Sequence, residues 1–256
     1  MAVIEHRRVI SHPGTAESDW HSWLHSGSIG SCTLADLLTC TVRLVVVAPH
    51  PDDEVLACGG LMAMHQAQSG EVVMVSVSDG EASHGACSQR QALALATTRH
   101  NELLAGLYQL GLEIVEVIRL ALPDGAIAAH SERLEAMLAG LLRPTDVAVT
   151  TFSLDGHPDH EATARATARA CMKLGCRLIE APVWMWHWAS INDPVVPWHR
   201  LHRLQLAPHV VASKRAALAA HVSQLEVLSR ADGAVLDTAI MARASRAEEY
   251  FFYSSS

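Results

Sequence analysis

Short apolar runs alternate with longer helical segments along the chain from residue 42 onward. The run at residues 42–48 is rich in valine, which is typical of a strand buried on both faces of a sheet. Residues 55–69 have the length and composition of a helix, and Gly70 stands just past their end, where glycine often terminates helices. The repeating pattern predicts further strands over residues 71–77, 113–120, 146–152 and 177–183, with helices over residues 88–110, 131–142 and 160–174.

These predicted elements indicate the fold class. Strands that alternate with helices of ten or more residues form βαβ units around a parallel sheet. Such crossovers are right-handed in nearly all proteins, so the pattern predicts an α/β fold, a three-layer sandwich with a mostly parallel central sheet. Residues 1–41 lack the periodicity and are predicted to be an extension packed on the core, with residues 42–256 as a single domain.

The pattern changes after residue 183. Three tryptophans fall within residues 184–188, and the turn signals Asp193-Pro194 follow them. We expect either a loop packed over the sheet or, alternatively, a wall of a substrate pocket, because large aromatic side chains serve both purposes. Beyond this segment, residues 201–206 are predicted to form a strand and residues 213–229 a helix that begins with a serine N-cap.

Composition and charge exclude several classes of protein. The 256 residues carry a formal net charge of −8, 50% are hydrophobic and 18% are charged, which argues against disorder. An acidic chain without a stripe of lysine or arginine is not expected to bind nucleic acid. The sequence has no run approaching ~20 apolar residues and no secretory signal, so we expect a cytoplasmic protein that does not insert into membranes.

Cysteine and histidine usage adds two expectations. The six cysteines are scattered without a C-x-x-C pair, and in a chain without an export signal they are expected to be reduced, mostly buried thiols. The 16 histidines are unusually many and make metal chemistry worth seeking.

The first chemical motif is the run Ala-Pro-His-Pro-Asp-Asp-Glu at residues 48–54. It follows the first predicted strand, and open α/β sheets bind ligands at the carboxyl ends of their strands. Its charges could simply complement the dipole of the next helix. That alternative explains Asp52, Asp53 and Glu54 but not His50, which stands between two prolines.

The second motif, Leu-Asp-Gly-His-Pro-Asp-His-Glu at residues 154–161, follows the fourth predicted strand. Its H-x-x-H pattern is weak alone, but a parallel sheet brings both motifs to one rim. That rim then offers His50, Asp52, Asp53, Asp155, His157, Asp159 and His160. Imidazole and carboxylate ligands suit Zn²⁺, Mn²⁺ or Fe²⁺, and two histidines with one carboxylate leave a position open for water, as in catalytic sites.

These two motifs resemble those of the PIG-L (LmbE-like) de-N-acetylase family, metal-dependent enzymes that remove the acetyl group from N-acetylglucosaminyl conjugates. Weaker matches lie in residues 78–81, 99–102, 122–125, 214–217 and 223–224, so the resemblance spans roughly residues 42–250. It implies a Rossmann-like, LmbE-like fold for the single domain. It also implies one divalent cation per chain, zinc first, with iron and manganese as the alternatives.

The resemblance further implies a role for each matching residue. The metal ligands would be His50, Asp53 and His160, the catalytic residues Asp52 and His157, and the substrate contacts Arg99 and Asp124. In these roles Asp52 is the general base that activates water and later protonates the amine. His157 stabilises the oxyanion alongside the metal. Some family members carry a tyrosine where this chain has Asp155, so the oxyanion here depends on His157 and the metal or on another group.

Some candidate residues also have plain structural interpretations. Arg99 could pair with Glu102 on the same helix, and Asp124 could serve only its turn before a glycine. His221 is expected to be a hydrogen-bonded structural histidine rather than a ligand.

The sequence therefore favours a metal-dependent hydrolase that removes the acetyl group from a small N-acetylglucosaminyl-type conjugate, releasing acetate and a free amine. Two alternatives stay open: a non-catalytic homologue that binds sugar or metal, and a metallohydrolase of another amide or of a phosphoester. Phosphoesterases often need two metal ions and hence more carboxylate ligands than the motifs supply. The oligomeric state is left open by the sequence.

Overall fold

One continuous sheet forms the centre of the computed structural model. The structure describes residue 10 and residues 14–85, 88–225 and 235–253. In those ranges the strands are β1 Gly30–Cys32, β2 Leu44–Ala48, β3 Val72–Ser78, β4 Glu116–Leu122, β5 Val147–Thr151, β6 Arg177–Ala181, β7 Leu201–Gln205 and β8 Glu248–Phe252. Their spatial order is β1-β7-β8-β6-β5-β2-β3-β4. Neighbouring strands run parallel except at β8, which is antiparallel to β6 and β7, so the predicted mostly parallel sheet is confirmed.

Helices cover both faces of this sheet. They are α1 Glu17–Leu24, α2 Leu34–Leu37, α3 Asp53–Ala67, α4 Gln89–Gln109, α5 Ser131–Leu141, α6 Pro158–Leu174, α7 Met185–Trp188, α8 Pro208–Ala219, α9 Val222–Leu225 and α10 Thr238–Ala244. Leu44 and Val46 of β2 pack with α3, α4 and α8, whereas Val45 and Val47 pack with α5 and α6. Successive strand residues point to opposite faces, so β2 is apolar throughout because both faces are covered.

The strand order creates a switch point at the centre of the sheet. From β2 the chain proceeds through β3 to β4 on one side, then returns to β5 on the other side of β2. Because β2 and β5 are parallel neighbours, the loops that follow them leave the same edge. This arrangement is where open α/β sheets bind their ligands.

The prediction of a helix over residues 213–229 is wrong about where the helix begins. The helix α8 begins at Pro208, with proline in the first turn, where its missing N–H is not needed, and Ser213 lies inside it. It ends at Ala219, and the short helix α9 follows. The last part of the prediction, residues 226–229, lies outside the described residues.

Both ends of the described chain contribute strands that the periodicity does not predict. Residues before 42 form α1 and also β1, an edge strand that pairs with β7. The strand β8 inserts between β6 and β7. The other predicted strands are present with shifted ends, most clearly β4, which lies two to three residues after the predicted range 113–120.

Cysteines and helices agree with the expectations from composition. Cys32, Cys58, Cys171 and Cys176 are buried and unpaired, and Cys40 is exposed. Cys87 lies outside the described residues. Among the described helices, none combines the length and the apolar character needed to cross a membrane.

Candidate functional site

The turn between β2 and α3 carries the first predicted cluster. His50 and Asp52 lie in this turn, and Asp53 is the first residue of α3. Asp52 has a φ of +128°, a region that residues with a side chain rarely adopt. Its backbone N–H donates a hydrogen bond to Glu54 Oε2 at 2.9 Å. Residues 50, 52 and 53 are all less than 10% exposed, with fractions of 8%, 4% and 3%.

The turn between β5 and α6 carries the second cluster. His157 is the N-cap of α6, Pro158 occupies the first helical turn, and His160 follows one turn into the helix. Thr151, the last residue of β5, donates its hydroxyl to the His160 carbonyl at 3.1 Å and thereby ties the helix to the strand. The two turns face each other at the same edge of the sheet, as the sequence predicts.

Three of the predicted residues converge on one point. His50 Nδ1 lies 3.1 Å and His160 Nε2 lies 3.2 Å from the same oxygen, Asp53 Oδ2. One ligand atom from each of the three lies within 4.8 Å of the others. We call His50, Asp53 and His160 the triad. A second such group consists of His50, His157 and Asp159 and shares His50 with the triad.

Buried carboxylates orient both histidines of the triad. His160 Nδ1 donates to Asp155 Oδ2 at 2.7 Å, so in the neutral ring that a cation requires the lone pair is on Nε2, on the side of Asp53. His50 Nε2 lies 3.3 Å from Asp159 Oδ2 and 3.1 Å from Asp124 Oδ1. In the neutral ring that a cation requires, these two carboxylates favour the proton on Nε2 of His50, and the Nδ1 lone pair is then left for the ion. Metal-binding histidines are typically held by carboxylates in this way.

The donor set fits a divalent cation. A tetrahedral ion with ligand bonds of ~2.0–2.1 Å places neighbouring ligand atoms about 3.3 Å apart. The two nitrogen–oxygen separations of 3.1 and 3.2 Å are close to that spacing. Burial lowers the pKa of the His160 imidazole, but the charges and hydrogen bonds of Asp53 and Asp155 together outweigh burial and raise the pKa to about 9. The same negative potential favours a bound cation.

Asp52 stands beside the triad and is held by Arg99. The guanidinium donates from Nη2 to Asp52 Oδ2 at 3.1 Å and to the Pro51 carbonyl at 2.5 Å, and from Nη1 to the Gly80 carbonyl at 3.0 Å. Burial raises the pKa of the Asp52 carboxyl to about 7, and the charge of Arg99 opposes that rise. A carboxyl group with a pKa near neutrality suits general acid–base chemistry.

His157 is fixed as a neutral hydrogen-bond donor. Its Nδ1 accepts from the backbone N–H of Asp159 at 3.2 Å, so in the neutral ring the proton lies on Nε2. Burial, reinforced by the nearby imidazoles of His160 and His50, lowers the pKa of His157 to about 3. The ring therefore remains uncharged near neutral pH and offers one N–H.

A cavity of about 170 Å³ opens over these groups. It is lined by His50, Asp52, Asp53, Leu56, Ser83, Arg99, Asp124, His157, His160, Trp184, Val235 and Leu236. Both interpretations of the tryptophan segment apply, because Trp184 lines the cavity whereas Trp186 is 4% exposed and packs against Trp20 with ring centroids 5.2 Å apart. The seven residues given a catalytic, metal-binding or substrate-binding role therefore line one cavity, whereas Asp155 and Asp159 do not line it.

The structure also resolves the alternatives for individual residues. Glu102 does not hold Arg99; its carboxylate accepts from the backbone N–H and the hydroxyl of Ser223, at 2.7 and 2.6 Å. Asp124 does more than serve its own turn: it accepts from the backbone N–H of Ala82, in the loop after β3, at 2.8 Å, and it faces the ring of His50.

His221 differs from the expected hydrogen-bonded structural histidine. It is fully buried, and within the described ranges neither of its ring nitrogens has a hydrogen-bond partner. Its Nε2 lies 3.6 Å from Oε1 of Glu54, another fully buried group.

Sequence reasoning did not assign roles to Asp155 and Asp159 as orienting groups. Asp155 also accepts from the backbone N–H groups of Val183, Trp184 and Met185, at 2.9, 3.0 and 3.0 Å. The available signal was spacing alone, since both aspartates flank the H-x-x-H pattern. Asp155 orients His160 of the same motif, but its backbone partners at residues 183–185 and the His50 partner of Asp159 lie far away in the chain and could not be read from the motif.

Comparison with known proteins places this site in a family context. A family model described as "PIG-L: GlcNAc-PI de-N-acetylase" matches residues 45–171, a stretch that contains both clusters. A 1D-myo-inositol 2-acetamido-2-deoxy-alpha-D-glucopyranoside deacetylase of Mycolicibacterium gilvum (strain PYR-GCK) is 27% identical over 60% of this chain and 61% of its own length. The deacetylase of the same name from Mycobacterium sp. (strain KMS) is 26% identical over 83% of each chain.

A solved structure shares the fold. The zinc-inhibited form of a teicoplanin deacetylase superposes with a TM-score of 0.62 and 17% identity, over 82% of this chain and 97% of its own. At that identity the likeness concerns the fold. The family match, in contrast, covers the residues that build the site. Residues 45–171 are thus a PIG-L family domain.

Proposed function

We propose that this protein is a metal-dependent hydrolase that removes the acetyl group from an N-acetylglucosaminyl-type conjugate, releasing acetate and a free amine. The observation that carries the proposal is the arrangement of three groups around one cavity. A buried triad suited to a divalent cation lies between a carboxylate, Asp52, and a neutral imidazole donor, His157. Metal-assisted amide hydrolysis combines a Lewis acid, a proton carrier and an oxyanion donor.

The relatives support the choice of substrate class. Both curated relatives are named as deacetylases of a 2-acetamido sugar joined to inositol, and the family description names an N-acetylglucosaminyl lipid. The chain spans 61% of the first relative's length and 83% of the second's. We therefore infer the acetamido sugar rather than the complete conjugate.

His50, Asp53 and His160 would hold the cation. When bound there, a divalent cation supplies Lewis acidity, which lowers the pKa of water toward ~7 and polarises a carbonyl oxygen. We infer zinc, because imidazole nitrogen and carboxylate oxygen are ligands it accepts readily, while iron and manganese tolerate the same set.

Asp52 carries the proton in this proposal. Its carboxylate takes a proton from the attacking water and later returns it to the amine nitrogen as the C–N bond breaks. Arg99 keeps one oxygen of the carboxylate in place through the 3.1 Å contact. Holding a reacting group in one orientation contributes to catalysis because less freedom is lost in the transition state.

His157 stabilises the negative charge that develops on the acetyl oxygen. The N-cap hydrogen bond to its Nδ1 fixes the ring, so that Nε2–H is the group left to donate. A single preorganised donor of this kind is worth ~10²–10³ in rate. Asp124 and Arg99, at the cavity wall, are the proposed contacts for the sugar.

The test is an acetate-release assay on protein that has been stripped with a chelator and reloaded with Zn²⁺, Mn²⁺ or Fe²⁺. The substrate panel contains N-acetylglucosaminyl-inositol, free N-acetylglucosamine and an N-acetylated amino acid. We expect acetate and free amine in equal amounts from the sugar conjugate, none from the stripped protein, and about one metal ion per chain.

A matched pair of variants tests the assigned base. Asp52→Asn should lower turnover by ~10²–10⁴ while metal content is retained, because Asp52 lies outside the triad. Asp79→Asn, which removes only the contact of Asp79 with Arg119 at 3.0 Å, should leave both unchanged. Metal content without acetate release from the parent protein would instead identify a non-catalytic binding homologue.

A further inference from the structure

The strained backbone at Asp52 needs an explanation beyond the motif. A non-glycine residue at a φ of +128° persists only where surrounding contacts hold it, and such outliers concentrate at functional sites. Arg99 holds the carboxylate of Asp52 and the carbonyl that precedes it. The backbone N–H of Asp52 is held by a different group, Glu54 Oε2, at 2.9 Å.

The side chain of Glu54 contacts the backbone N–H of Asp52 and does not line the cavity. Asp52 and Asp53 line the cavity, whereas Glu54 is not among its lining residues and is 0% exposed. Its carboxylate reaches back over the start of α3 to the preceding turn. A glutamate that merely complements a helix dipole remains in solvent, where its charge costs little, so burial at this point indicates a more specific role.

The second oxygen of Glu54 faces His221. Oε1 has no hydrogen-bond partner within the described ranges and lies 3.6 Å from Nε2 of His221, which is also 0% exposed. His221 stands between α8 and α9, so a part of the chain remote from Glu54 reaches the start of α3 through this side chain. Buried polar atoms are usually paired, which makes this contact the one available to both groups.

We propose that Glu54 is a positioning residue for Asp52, supported from behind by His221. By holding the Asp52 N–H, the Glu54 carboxylate maintains the turn that points the Asp52 carboxylate into the cavity. This inference rests on the proposed function, in which Asp52 carries the proton. The chemistry of Asp52 then depends on a glutamate and a histidine that never contact the substrate.

Kinetics of three variants test the role. Glu54→Ala and Glu54→Met remove the acceptor, the second without leaving a void, whereas Glu54→Gln retains a carbonyl oxygen for the Asp52 N–H. We expect kcat to fall about 100-fold in the first two, because misplacing a reacting group by ~1 Å can cost that much. KM should stay within about threefold and metal content should be unchanged. Glu54→Gln should restore kcat to within about tenfold of the parent.

Glu180→Ala is the matched control. Glu180 is also buried, at 7% exposure, and accepts one backbone N–H, from Ser153 at 2.9 Å. The Glu180→Ala variant should have a kcat within about threefold of the parent's. A kcat for Glu54→Met equal to that of this control would overturn the inference, as would a loss of metal that parallels the loss of turnover.

His221 is tested through coupling. His221→Ala should lower kcat by about fivefold to tenfold alone, and it should add little to Glu54→Met, because both changes act on one contact. Fully multiplicative losses would show that His221 acts independently of Glu54 and would overturn its supporting role.

A crystal structure of Glu54→Met separates this inference from the proposed function. We expect the φ of Asp52 to relax to a negative value and its carboxylate to leave Arg99, whereas the parent crystal keeps both. An unchanged turn would overturn the positioning role even if the parent is active. If the parent releases no acetate, the proposed function fails, and the crystallographic result still decides whether Glu54 holds the turn.

Discussion

Individual aspartates decide which nitrogen of each imidazole is free for a cation. Asp155 accepts a hydrogen bond from Nδ1–H of His160, and Asp159 faces Nε2 of His50. The other ring nitrogens, Nδ1 of His50 and Nε2 of His160, both face Asp53. A site built this way loses its geometry if an orienting carboxylate is changed, even though none of the three ligands is touched.

Asp155→Asn is expected to weaken metal binding by about 10–100-fold. Both carboxylate oxygens accept hydrogen bonds, Oδ1 from Val183 and Met185 and Oδ2 from His160 and Trp184. An asparagine must place its NH₂ against two donors in either orientation, so the loop or the imidazole has to move. The metal affinity is measured by competition with a chromophoric chelator.

Asp193→Asn is the control for that measurement. Asp193 is likewise buried, at 5% exposure, and accepts a backbone N–H, from Val195 at 3.0 Å, but it does not contact the triad. Its metal affinity should match the parent's. Equal affinities in the two variants would contradict the orienting role of Asp155.

At the scale of single residues, the sequence predicted which side chains could bind a metal better than it predicted which groups orient them. His50, Asp53 and His160 come together because each lies at the end of a central strand, a position that periodicity reveals. Asp155 could not be assigned, because its N–H partners at residues 183–185 follow a different strand. Hydrogen bonds between loops depend on their exact path, which hydrophobic pattern does not encode.

Among the elements, α3 shows how a buried ion pair supports a kinked helix. The helix is interrupted at Cys58, where φ is −151°, and the backbone N–H groups of Gly60 and Leu61 donate instead to the Glu249 carboxylate at 2.7 and 2.8 Å. Lys214 of α8 neutralises that carboxylate with an Nζ–Oε1 distance of 2.6 Å. The kink, β8 and α8 are thereby joined through one charged pair.

Lys214→Met should therefore lower the free energy of unfolding by about 3–5 kcal/mol, because it leaves the Glu249 charge buried without its cation. Lys214 and Glu249 are each only 3% exposed. Lys173→Met is the control, since Lys173 pairs with Glu135 but its side chain is 62% exposed. That surface pair should contribute less than ~1 kcal/mol. Urea denaturation measures both values, and similar losses in the two variants would contradict the argument.

The same scale shows why some elements were predicted and others were not. β2 is a continuous apolar run and β3 is buried throughout, because helices cover both of their faces. The helix α6 ends at Leu174 and is capped by Gly175, whose φ of +77° suits glycine. β1 has three residues, too few for a period to register. The start of α8 was misplaced because a serine inside the helix resembles an N-cap, whereas the true start is marked by Pro208.

For the whole molecule, a cluster of tryptophans fastens the first described residues to the rest. Trp20 of α1 is 0% exposed, donates its indole N–H to the Trp186 carbonyl at 2.8 Å and lies 5.9 Å from Trp198 between ring centroids. Asp155 fastens the start of the same tryptophan segment next to the triad. Apolar burial thus connects α1 to the loop that borders the cavity.

Trp20→Ala should lower the free energy of unfolding by about 3–5 kcal/mol, the usual cost of removing a fully buried aromatic ring. The neighbouring His21 is exposed, so His21→Ala should change stability by no more than ~0.5 kcal/mol. Thermal and urea unfolding of both variants provide the comparison. A Trp20→Ala variant as stable as His21→Ala would show that α1 is not part of the cooperative unit.

The place of β1 has a consequence for how the protein is made. Ser31 of β1 is in register with Arg203 of β7, and their side chains join two positions 172 residues apart. During translation, β1 emerges long before its neighbour β7 has been made. By contrast, β2, β3 and β4 follow one another in the chain and are neighbours in the sheet. The half of the sheet around β2, β3 and β4 can therefore assemble early, whereas the half around β1 cannot form until β7 and β8 have been made. During that interval β1 is an unpaired strand that can associate with the wrong partner. Chaperone demand during translation should therefore concentrate on the stretch that contains β1.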